Sequence, residues 1–176
     1  MSGWELLKAH LQQPEYLHVL LNPLPVYGLA TGFLAMLLAL AVRSRPAQVV
    51  ALAIVFVCAI SAWPVAELGE SAYDRVKAQS DQDGGLWLDE HRDRVDDLLW
   101  VFYVVAGLAA ASALVPLRWP GSTKTLYLIT AAGTLAALAC GGWIGYAGGQ
   151  VRHKEFRYSS PPPAKPQEQE EHHHHE

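Results

Sequence analysis

The chain has 176 residues, of which 51% are hydrophobic, with 13 Lys and Arg against 17 Asp and Glu for a formal net charge of −4. The apolar residues are gathered in blocks, which is a membrane distribution and not that of an ordinary soluble domain. The charge is too small and too unevenly placed for a nucleic-acid partner.

Uncharged runs cover residues 19–42, 47–66, 98–117 and 125–151, and each reaches the ~20 residues that a helix needs to cross the hydrocarbon core. Four crossings are expected. The first run does not read as a cleaved secretory signal, because residues 1–21 carry Glu5 and Glu15 where a basic region belongs. That segment, taken as a unit of its own, puts Trp4, Leu7 and Leu11 on one side of a helix that Pro14 ends. An interfacial helix and a frayed terminus both fit it.

In 22–28, NPLPVYG, two prolines oppose helix until Pro25 takes a first-turn position, so the first span is expected over about 25–42. Gly28 and Gly32 lie four residues apart, a spacing that lets another helix backbone approach. Arg43 and Arg45 make the first hairpin short and basic. The second span, 47–66, ends near Trp63 and Pro64, and helical periodicity continues, with Val65, Leu68, Ala72 and Val76 on one face and Glu67, Glu70 and Asp74 opposite. Residues 80–85, SDQDGG, read as a turn, after which a helix restarts at Leu86. Residues 67–97 therefore form a helical polar cap. In 87–97, WLDEHRDRVDD, the stripe Leu88, His91, Val95, Leu98 and Phe102 places His91 as the one polar member of an inward face.

The third span, 98–117, and the fourth, 125–151, are joined by a second short basic hairpin with Arg118 and Lys124. Gly141, Gly145 and Gly149 repeat at four-residue spacing, the mark of a close-packed helix interface. Residues 157–176 are rich in Pro and Glu and read as a disordered tail, and the His172–His175 run does not bear on the core. Cys58 and Cys140 sit in apolar runs as small apolar side chains. The expected fold is all-α, a four-transmembrane-helix bundle over 22–156 with a helical polar cap between the second and third spans.

Four crossings put the termini and the cap on one face, with every acidic residue and every histidine, and leave Arg43, Arg45, Arg118 and Lys124 on the other. The positive-inside tendency then favours termini and cap outside a bacterial cytoplasmic membrane, on the periplasmic side. Nine of the 13 Lys and Arg residues, however, lie on the termini face.

His91 and His153 fall at the same membrane boundary on faces turned toward the bundle. Two such imidazoles are candidate ligands for haem b or a transition metal, with Glu70, Glu90, Asp74 or Glu155 as further ligands or as acceptors that orient the rings. The same residues also serve a structural reading, in which histidines and carboxylates tie the cap together. His18 and His10 carry a weaker signal. No phosphate loop, Cys-x-x-Cys pair, Ser–His–Asp set or H-E-x-x-H motif is present, so no catalytic residue is assigned. No charge interrupts the spans, which disfavours an ion-coupled transporter.

Four stretches, NPLPVYG, ELGESAYDRV, LDEHRDRVDD and GGQVRHKEF, together resemble a family of small bacterial four-helix integral membrane proteins of unknown function with histidines at the helix ends. The resemblance covers about 17–156 and marks Asn22, Pro25, Gly28, Gly69, Glu70, Ala72, His91, Gly148, Gly149, Arg152, His153 and Glu155. It implies that the polar end is a shared site. Pro23 stands where the family pattern tends to have a histidine, unless His18 substitutes from a neighbouring turn, and Arg92 replaces an acidic residue. Two functions follow as expectations: a haem- or metal-binding, redox-associated or cofactor-handling membrane protein with a membrane or redox partner, or a non-catalytic subunit of a larger membrane complex.

Overall fold

The structure, a computed structural model, describes residues 2–163; the remainder of the expected tail, with its histidine run, lies outside the described residues. All regular structure among the described residues is helical: α1 (Gly3–His10), α2 (Pro14–Leu21), α3 (Leu29–Ala41), α4 (Arg45–Ile60), α5 (Ala62–Ala78), α6 (Gln82–Leu114) and α7 (Thr123–Arg152). Four helical segments are long and apolar enough to cross a membrane: Pro14–Ala41, Arg45–Ala78, Gln82–Leu117 and Pro120–Arg152.

Two elements differ from the sequence expectation. The helix that carries the first span does not begin at Pro25, because α2 runs into α3 through a π-helical turn at Leu24–Gly28. The prolines remove two backbone donors, and the wider turn absorbs the loss without ending the helix. After the second span, α5 is continuous to Ala78 and α6 starts at Gln82. The turn is shorter than 80–85 because Asp81 caps α6, its Oδ1 accepting from the Gly84 amide at 3.1 Å. The 33 residues of α6 measure about 50 Å at 1.5 Å per residue, well beyond the ~30 Å hydrocarbon core.

Helices α3, α4, α6 and α7 pack in a ring, α3 on α4, α4 on α6, α6 on α7 and α7 back on α3, while α2 lies on α5. The core joins Leu29 and Met36 of α3, Leu52 and Val55 of α4, Phe102 and Val105 of α6, and Tyr127 and Ala137 of α7. Leu38, Val50, Val57 and Leu135 point outward as exposed apolar side chains, as lipid-facing residues must. The glycine pair of the first span is a contact: a Cβ on Gly32 would lie 2.9 Å from Val55 Cγ2, and one on Gly28 2.6 Å from Cys58 Sγ. Of the later glycines, Gly141 meets Val26 and Phe102, whereas Gly145 has open space before it. The expected stripe is thus only partly used within this chain. Inside the ring Tyr127 Oη donates to the Met36 carbonyl at 2.9 Å and Ser112 Oγ lies 2.7 Å from Thr130 Oγ1.

The ends are pinned. Arg157 reaches back from beyond α7 to donate to both carboxylate oxygens of Asp81 at 2.9 and 3.0 Å. These bonds, with the Lys154 ammonium, hold the Asp81 carboxyl well below its ordinary range. The clamp is therefore complete above that range and outlasts acidification through it. Arg157 was assigned to the tail by composition, yet its side chain is only 10% exposed. At the opposite end Arg45 Nη2 donates to the Ser112 carbonyl at 3.1 Å, tying the first hairpin to the end of α6. In that hairpin Arg43 adopts φ 52°, and the Ser44 amide donates to the Ala39 carbonyl and the Arg43 amide to the Leu40 carbonyl. This six-to-one and five-to-two pattern places a side chain where glycine is favoured. Arg43→Gly is expected to raise stability in detergent by about 0.5–1 kcal/mol, read as a higher midpoint of thermal unfolding.

Candidate histidine site

The site is built on two imidazoles held in the same way. His91 of α6 is partly buried, and its Nδ1 lies 3.0 Å from the Ile144 carbonyl of α7. A carbonyl only accepts, so Nδ1 carries the proton and Nε2 keeps its lone pair. The ring fits there because the residue one helical turn on from Ile144 is Gly148, where a Cβ would stand 3.1 Å from both Cε1 and Nδ1 of His91.

His18 of α2 repeats the arrangement on α5. Its Nδ1 lies 2.8 Å from the Val65 carbonyl, and Gly69 is one turn on, where a Cβ would meet His18 Cε1 at 2.9 Å. Both rings are thus fixed in the Nδ1–H form against a bare stretch of helix. The two lie within electrostatic range of one another. Glu70, next to Gly69, pairs with Arg92, next to His91, which ties the neighbourhood of one seat to that of the other.

Around His91 the charges are paired. Arg94 is 7% exposed; its Nε donates to Glu90 at 2.8 Å and its Nη1 to the Trp143 carbonyl at 2.7 Å. Its guanidinium lies 3.7 Å from the centre of the Trp143 ring. Asp89 accepts from Tyr73 and Lys77. A small core of Trp87, Ala147 and Val151 packs behind these groups.

His153 is placed differently. Its Nδ1 lies 3.0 Å from Glu155 Oε1, its ring stacks on Phe156 and its side chain is 55% exposed. The helix stops at Arg152, so the inward line extrapolated along α7 is not continued to this ring. Of the carboxylates named from sequence, Glu70 is held by Arg92, Glu90 by Arg94 and Glu155 by His153. No group of three or more His, Cys, Asp or Glu side chains able to hold a metal ion occurs among the described residues.

No family model, curated protein or solved structure matches the chain. The likeness of the four quoted stretches to a membrane family thus stands on those residues alone.

The seat of His18 was not foreseen in the sequence, where this residue carried a weaker signal than His91 and His153. Its partners are more than forty positions away, as the 47-residue separation of its hydrogen bond shows, and nothing local marks it. The available signal was a repeated four-residue step from a branched apolar residue to glycine, Val65 to Gly69 and Ile144 to Gly148, which gains meaning only once each step is set opposite a histidine.

Gly148→Val is expected to displace the His91 ring and to cost about 1–3 kcal/mol through overpacking and the lost hydrogen bond. Gly145→Val, facing open space, should leave the midpoint of thermal unfolding nearly unchanged; equal effects from the two would contradict the seat described for His91.

Proposed function

We propose that this chain is a multi-pass protein of the bacterial cytoplasmic membrane that holds a haem or a transition metal at the polar end of its helices, with His91 as a ligand, and handles that cofactor or serves a redox partner. The observation that supports this reading is the tautomer lock on His91. Its Nδ1–H is spent on the Ile144 carbonyl, and histidines that bind metals are commonly oriented in this manner, with the second nitrogen left to the metal. The ion pairs Glu70–Arg92 and Glu90–Arg94 beside it support reading the charged ends of α5 and α6 as a polar cap. The positive-inside tendency of the two basic hairpins supports an orientation with that cap and both termini on the periplasmic side.

A second reading is favoured by one surface. Gly142 and Gly145 have open space before them, and Trp143 and Tyr146 beside them are exposed. A partner's helix fits such a face, as in a non-catalytic subunit of a larger membrane complex.

The test is an absorption spectrum with metal analysis on protein purified after expression with haem supply. A Soret band or bound metal that is lost in His91→Ala is expected. Wild-type protein that carries neither chromophore nor metal would overturn the reading.

A further inference from the structure

We infer that the second ligand at this site is His18, and that the pair His18 and His91 forms a bis-imidazole site for the iron of a haem. The inference rests on the proposed function in taking His91 as a ligand, and goes beyond it in the partner and the class of cofactor.

The pairing comes from geometry. Each ring donates Nδ1–H to a helix carbonyl, at 2.8 Å for His18 and 3.0 Å for His91. Each lies over a glycine one turn farther along the helix that accepts it. A histidine that merely ties two helices together needs one hydrogen bond. It does not need the same tautomer and the same cleared surface as another histidine on a neighbouring helix pair, joined to it through Glu70 and Arg92. Neither Nε2 makes a hydrogen bond with the described residues, so both keep a lone pair for a ligand. His153, by contrast, has its Nδ1 on Glu155 and its ring on Phe156 in solvent.

The class of cofactor follows from the number of donors. A bare zinc or similar ion takes three or four protein ligands, and no third His, Cys, Asp or Glu completes such a group among the described residues. Haem iron receives four nitrogens from its own macrocycle and asks the protein for two axial ligands, which is the number here. Helix α2 packs chiefly on α5, and α6 on α4, α5 and α7. A planar group therefore enters between α2 and α6 without parting a major interface.

The experiment titrates haem into the purified full-length wild type, His18→Gly, His91→Gly and His153→Ala in detergent micelles, recording absorption and electron paramagnetic resonance spectra. Wild type and His153→Ala are expected to give the low-spin, six-coordinate signature of two imidazoles. His18→Gly is expected to lose it for a high-spin form, and added imidazole to restore it, which shows that the variant is folded around the site. A low-spin wild type whose spectrum survives His18→Gly but is lost in His153→Ala would overturn the inference while leaving the site at His91 standing. A wild type that takes up no haem but binds a transition metal through His91 would overturn it also, and one that binds neither removes the proposed function with it.

Discussion

An imidazole that donates to a helix carbonyl as His18 and His91 do needs the space that a side chain one turn on would occupy. That constraint sets the geometry of this protein's polar end. The carbonyls of Val65 and Ile144 are each followed, four residues on, by glycine, and His18 and His91 occupy the cleared surface. The hydrogen bond fixes the tautomer, the glycine fixes the plane, and the two together leave Nε2 free. Ring position, helix register and chemical competence are therefore one property here.

The rest of the fold ties the helices that carry the two seats to one another. Glu70 and Arg92, each adjacent in sequence to a residue of a seat, join α5 to α6. Arg94 ties α6 to α7 through the Trp143 carbonyl, one residue before the acceptor of His91. At the far end Arg45 fixes the first hairpin to α6, and within the ring Tyr127 and Met36 join α7 to α3. Within the apolar segments the buried Tyr127–Met36 tie has little competition from water, and the backbone satisfies itself within each helix.

Much of the fold was legible in the sequence, because runs of about 20 uncharged residues have few other uses. The start of the helix that carries the first span was not. Local rules end a helix at Pro23 and Pro25, but packing carries it through, and a π-helical turn accommodates the prolines. The SDQDGG stretch failed in the opposite direction: its glycines lie inside the first turn of α6 because Asp81 caps it and the end of α7 presses against it, a Cβ on Gly84 meeting the Val151 carbonyl at 2.6 Å. At the site, the stripe through Leu88 and Val95 placed His91 correctly toward its neighbour. Extrapolating α7 to His153 assumed a helix that stops at Arg152, and the seat of His18 is recognisable only from contacts across the fold.

The claim on which the account turns is that both rings carry their proton on Nδ1 and present a bare Nε2. Nitrogen-15 magnetic resonance of the histidine side chains, with the protein reconstituted in bilayers at neutral pH and free of added haem or metal, reads this directly. The account predicts that His18 and His91 both show a protonated Nδ1 and an unprotonated Nε2. A proton on Nε2 of either ring, or averaging of both rings to the mixture seen in free histidine, would contradict it.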